Sequence, residues 1–112
     1  MSVAVADAIP PSNPTIVNGV RMYQSTHSAS ASNDTDSDFT LSVQGSMSDS
    51  NGGSDSFTAS LVVSAGGSAT QVWNTGYPTS DPSGTVITIT ASTVITGPVS
   101  DSKSQTFTIT VA

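Results

Sequence analysis

The sequence predicts an all-β protein, an antiparallel sandwich of about seven strands, on three observations. Ser occurs 22 times, Thr 16, Val 12 and Ile 6 in 112 residues, against two Leu and no Glu. β-Branched side chains lose rotamer freedom in helices but sit well on a pleated surface, and Ser and Thr compete with the helix for backbone hydrogen bonds. Apolar and polar residues alternate with a period of two in several segments. Clusters of Gly, Pro, Asn and Asp punctuate those segments as turns, and the length suits one domain with one core.

Taken in order, residues 1 to 14 hold Pro10, Pro11 and Pro14 among small apolar residues. Proline lacks a backbone donor and resists central strands, so this stretch is expected to be an extended N-terminal arm, with residues 15 to 112 forming the domain. Val3, Val5, Ile9, Pro10 and Pro11 are the arm's candidate contacts with another subunit. Thr15 to Gln24 is the first strand, and Asn18-Gly19 inside it is either a tight turn that splits it or a bulge. Ser25 to Ser37 is polar and without period, and reads as a loop.

From Asp38 the alternation is clean, with Phe39, Leu41, Val43 and Met47 on one face. It resumes after the Asp49 to Asp55 turn cluster with Phe57, Ala59, Leu61, Val63 and Ala65. All these apolar positions are odd, so directly opposed residues must have an even sum if they share a buried face. That predicts a three-residue loop, Asn51-Gly52-Gly53, with Met47 opposite Phe57 and Val43 opposite Leu61. A short strand, Ala69 to Asn74, carries Trp73, and Gly76-Tyr77-Pro78 through Gly84 is punctuation. Thr85 to Val94 and Thr106 to Val111 complete the set, with Ile87, Ile89, Phe107, Ile109 and Val111 facing inward.

The closing run Ser104-Gln105-Thr106-Phe107-Thr108-Ile109-Thr110-Val111 resembles the last strand of bacterial and phage immunoglobulin-like or cadherin-like modules. The resemblance covers about eight residues and implies an immunoglobulin-like sandwich with an adhesive or scaffolding role. The chain has no Cys, so the disulfide of antibody-type domains is absent. A small Cys-free β protein of this kind also resembles phage capsid decoration, or cement, proteins.

The net charge is −6, with two cations against eight Asp. Phosphate contacts need cations, so neither nucleic acid nor an anionic membrane is an expected partner. The start Met1 to Ala8 lacks a basic region and is interrupted by Asp7, unlike a signal peptide, and no run approaches the ~18 apolar residues of a membrane helix. A virion component, assembled in the host cytoplasm and released by lysis, reconciles an extracellular-type composition with this start. The alternatives are an extracellular or cell-surface adhesive module and a tail or filament subunit.

No nucleophile elbow is present, and the single histidine, His27, lies in the predicted loop and is expected to be exposed and idle. No catalytic residue and no cofactor is expected. Asp34, Asp36 and Asp38 alternate as at the start of a calcium loop, but Phe39 stands where the turn glycine belongs and Gly45 where the bidentate Glu belongs, so only a looser oxygen site is conceivable. Trp73 and Tyr77 could form a sugar platform, although a lone Trp on a sandwich strand is more often core. The Thr-x-Thr runs read as the wet faces of two strands. The expected function is packing against other virion or assembly proteins, as a homo-oligomer or on a capsid lattice.

Overall fold

The computed structural model describes residues 1–9 and 15–112; for Thr15 and Val17 it describes the backbone alone. Its strands, among the described residues, are β1 (Ser2–Val5), β2 (Thr15–Val17), β3 (Val20–Ser32), β4 (Phe39–Asp49), β5 (Ser54–Val63), β6 (Ser68–Pro78), β7 (Val86–Thr96) and β8 (Asp101–Thr110). They form two four-stranded antiparallel sheets. In the first, β1 and β2 share one edge of β3 and β6 takes the other; the second has the order β5-β4-β7-β8.

The sheets pack face to face with the odd-numbered residues inward, except toward the sheet edges, where Phe57, expected on the buried face, and Lys103 are exposed. One apolar cluster joins Val5, Ala29, Ala31, Leu41, Val43, Leu61, Val63, Trp73 and Ile95. A second joins Ala8, Tyr23, Met47, Ile87, Ile89, Ala91, Ile109 and Val111, with Phe107 and Tyr77 packed against it. The inward placement of Phe39, Leu41, Val43 and Met47, and of Phe107, Ile109 and Val111, follows the alternation of the sequence. The molecule is elongated, 54 × 26 × 19 Å. Ser2 pairs with Ser32 at one pole, and Ala112 O accepts from Arg21 Nη2 at the other, so the chain enters and leaves at opposite ends.

Three expectations are corrected. The segment Ser25 to Ser32 is strand: β3 pairs continuously with β6 from Met22↔Pro78 to Ser32↔Ser68. Its inward residues include Ser25, His27, Ala29 and Ala31, which differ too little in polarity from the outward Ser and Thr for alternation to show. β6 runs on through Gly76-Tyr77-Pro78, which the turn rule reads as punctuation, and β8 starts at Asp101 rather than Thr106 because the odd-numbered Asp101, Lys103 and Gln105 are as polar as their outward neighbours.

Residues 1 to 9 do not stand away as an arm. β1 pairs with the end of β3, Ile9 bridges Thr26, and Val5 and Ala8 are buried in the two core clusters. Of the candidate contacts, Val5 is therefore core, Val3 is half-buried and Ile9 is exposed, while Pro10 and Pro11 lie outside the described residues.

The third correction concerns the hairpin register. Leu41 faces Leu61, Val43 faces Ala59 and Met47 faces Asp55. The even sum and the three-residue loop hold, but the loop is Ser50-Asn51-Gly52. Asp49 fixes it: its backbone N–H donates to Gly53 O at 2.9 Å, and its carboxylate accepts the N–H groups of Asn51 and Gly53 at 2.6 and 3.1 Å. Gly52 supplies the left-handed residue, at φ 87°. Asn18-Gly19 is the tight turn of its two readings, with φ values of 51° and 78° matching the hairpin turn that Asn-Gly favours.

Candidate functional site

The two apolar clusters are separated by polar side chains at mid-sandwich. His27 on β3 is fully buried, as are Thr75 on β6 and Thr93 on β7. His27 Nδ1 lies 2.8 Å from Thr93 Oγ1, and Nε2 lies 2.8 Å from Thr75 Oγ1. In the neutral ring one nitrogen donates and the other accepts, and each hydroxyl rotates to match. The bond to Thr93 crosses from one sheet to the other. Trp73 stacks on the imidazole with centroids 5.6 Å apart and planes 16° from parallel. Burial pushes the His27 pKa below its ordinary value of 6.5. The expectation of an exposed, idle His27 is thus overturned, because its loop is a central strand.

A second polar group lies at the pole that holds the C-terminus. Tyr77 donates to Asp49 Oδ2 at 2.5 Å, and Tyr23 donates to Asp81 Oδ2 at 2.6 Å. Thr79 Oγ1 also donates to Asp81 at 3.0 Å, and Tyr23 and Tyr77 meet edge to face at 5.7 Å. With Asn51 and Gly53 these residues line an open cleft of about 160 Å³. Burial, reinforced by the adjacent carboxylates, raises the pKa of both tyrosines. The hydrogen bond from Tyr23 lowers that of Asp81. The carboxylates accept hydroxyl and backbone donors that bind the β4–β5 and β6–β7 loops together, which is a structural use of their charge.

The three aspartates of the calcium reading do not converge. Asp34 pairs with the N-terminal ammonium, and this contact lowers its pKa. Asp38 Oδ1 accepts the Ala65 N–H at 2.8 Å. Among the described residues no three His, Cys, Asp or Glu side chains gather as metal ligands. The loop is held instead by buried Asn33, whose Nδ2 donates to Ser37 O at 2.7 Å and Val63 O at 3.1 Å.

Trp73 is core, so it forms no platform with Tyr77, which lies at the pole. Sequence reading missed the partners Thr75 and Thr93; the available signal was their odd number within alternating segments, where inward hydroxyls require a polar neighbour.

The outward faces are as distinctive as the interior. Even-numbered residues of β3 to β8 point outward and include no charged side chain; Ser, Thr, Val, Gln and Asn dominate. Across the β7–β8 pair, Thr90 faces Thr106 and Ser92 faces Ser104, with hydroxyl oxygens 3.3 and 2.6 Å apart. The eight Asp lie at the poles and along the mouths between the sheets. At one mouth Asp101 and Gln105 of β8 accept the N–H groups of Val5 and Ala8, and Lys103 sits 3.7 Å from Asp7. At the other, Asp55 accepts the Gly76 N–H at 2.8 Å. Comparison with protein-family models and with curated proteins finds no match to this chain.

Proposed function

We propose that the chain is a non-enzymatic structural module of immunoglobulin-like topology that works by packing against other proteins, as a decoration subunit on a virion shell. The observation that carries this reading is the pair of broad faces free of charge. Such faces can be covered by a partner without desolvating an ion, and interface centres are depleted in charge for that reason. Exposed Val62, Val72 and Val86 add apolar contact area to them.

The strand order supports the immunoglobulin-like reading. The sandwich of that family places its second and fifth strands in one sheet and its third, sixth and seventh in the other. Counting β1 and β2 together as the first strand, β3 and β6 take the former places and β4, β7 and β8 the latter; β5 departs from the constant type, whose fourth strand joins the first sheet, and lies beside β4. The virion assignment rests on the sequence resemblance and on composition.

A second reading, an adhesive module of a cell-surface or secreted protein, is favoured by the entry and exit of the chain at opposite poles, which suits joining domains in line. Gold-labelled antibodies raised against the folded domain discriminate the two. Label on released particles supports the virion reading; label confined to the cell envelope replaces it with the second.

A further inference from the structure

We infer that His27 is an acid-sensitive latch between the two sheets: neutral, it joins β3 to β6 and β7 at the centre of the sandwich, and its protonation weakens the fold there. This goes beyond the proposed function and does not depend on it. The inference stands on the ring's surroundings. Imidazole is fully buried, faces hydroxyls on both nitrogens, is stacked on an indole, and lies against the backbone of Gly45, where a methyl group would come within 2.9 Å of the ring.

Two threonine oxygens could accept from an imidazolium, so hydrogen bonding alone does not forbid the charge. What the site lacks, among the described residues, is a counter-ion. On β3 the ionisable residues are Arg21 and Tyr23, on β4 Asp49, on β5 Asp55, on β6 Tyr77 and on β8 Asp101 and Lys103; β1 and β7 have none. Asp55 is held by the Gly76 N–H, Asp49 by Tyr77 and its own turn, and Asp101 by the Val5 N–H. None bonds the ring. A buried cation without a partner is strongly disfavoured, so acid must displace the imidazole toward water or leave the folded state short of a proton that the unfolded chain binds.

The sign follows from linkage. Because the folded-state value is depressed, the stabilisation is fully present above the unfolded value of about 6.5. It is lost as the pH falls from there toward the folded value. The substitution H27Q keeps every other titratable group of the chain, so the difference between it and the wild type across pH 7.5 to 5 isolates the histidine. The chain has one His and one Trp, in contact with each other, so both probes are unambiguous.

The experiment is thermal unfolding of the intact chain from pH 7.5 to 5 at constant ionic strength, beside H27Q, whose amide can donate to one threonine and accept from the other. The native ring is followed by proton NMR across the same range. The wild-type midpoint is expected to fall by roughly 5–10 °C and that of H27Q by much less, on the usual scaling for a domain of this size. The ring signal should stay in its neutral position until Trp73 emission reports loss of structure. An unchanged wild-type midpoint, an equal fall in H27Q, or a native ring titrating at or above 6.5 would overturn the latch. If H27Q does not fold, the wild-type midpoint and the ring titration decide together.

Discussion

Gly45 lies directly beneath Trp73: a β-carbon placed on it would come 2.4 Å from the indole Nε1. The glycine is required here for space, since the approach leaves no volume for a methyl group. Gly45→Ala is therefore expected to destabilise by about 1–3 kcal/mol through overpacking, and to alter the near-UV circular dichroism of Trp73. Denaturant unfolding with Trp73 fluorescence measures both. A neutral effect would mean that the β4 backbone and indole separate freely.

Ile109 and Thr108 are neighbours on β8 with opposite fates. Ile109 is buried in the second apolar cluster, whereas Thr108 faces outward opposite Thr88. Ile109→Ala should cost about 2–5 kcal/mol by lost burial and a cavity. Thr108→Ala should cost within about 0.5 kcal/mol, as surface changes generally do. Equal costs in urea titrations would contradict the face assignment.

The two tyrosines predict an alkaline limit. Both are held neutral, first by burial and then by their carboxylate partners, and the chain has no others. With folded values raised, stability is fully present below the ordinary value near 10 and declines as the pH rises above it. Phenolate absorbance should therefore appear together with unfolding rather than before it. Removing the hydroxyl in Tyr77→Phe leaves Asp49 short of one charge-assisted partner and should cost about 1.5–3 kcal/mol at neutral pH.

Deleting residues 2–9 should damage the fold itself. The deletion removes Val5 and Ala8 from the core and strips Asp101 and Gln105 of their backbone donors. Burial of one Val side chain alone contributes about 1.5–3 kcal/mol. A truncated chain that keeps its unfolding midpoint, as the arm read from the sequence would allow, would show that β1 is dispensable.

How much of this was legible depended on contrast between the two faces of each strand. Around Leu41, Val43, Ile87 and Ile109 the inward residues are large and apolar and the outward ones hydroxylated, and there the strands stood out. In β3 the inward set runs Ser25, His27, Ala29, Ala31, and the pattern vanishes although the geometry is the same. The histidine's setting was lost with it, because the partners Thr75 and Thr93 are brought to it from 48 and 66 residues away by sheet pairing and sheet packing. Prolines 10, 11 and 14, which lie outside the described residues, extended the arm reading back over residues 1–9, where no proline stands and Ser2–Val5 pairs as a strand. The hairpin loop was displaced by one residue because the Asp49 carboxylate, through bonds that parity does not encode, chose where to close it.

The opposite placement of the chain ends has a mechanical consequence. β1 starts at one pole and pairs antiparallel with β3, while β8 finishes at the other and pairs antiparallel with β7. Tension applied between Met1 and Ala112 therefore runs along the strands and strains the rungs of each terminal ladder together, in shear. Unzipping them one at a time would require the ends to be drawn sideways. The domain is thus built to bear a pull along its length better than a pull across it.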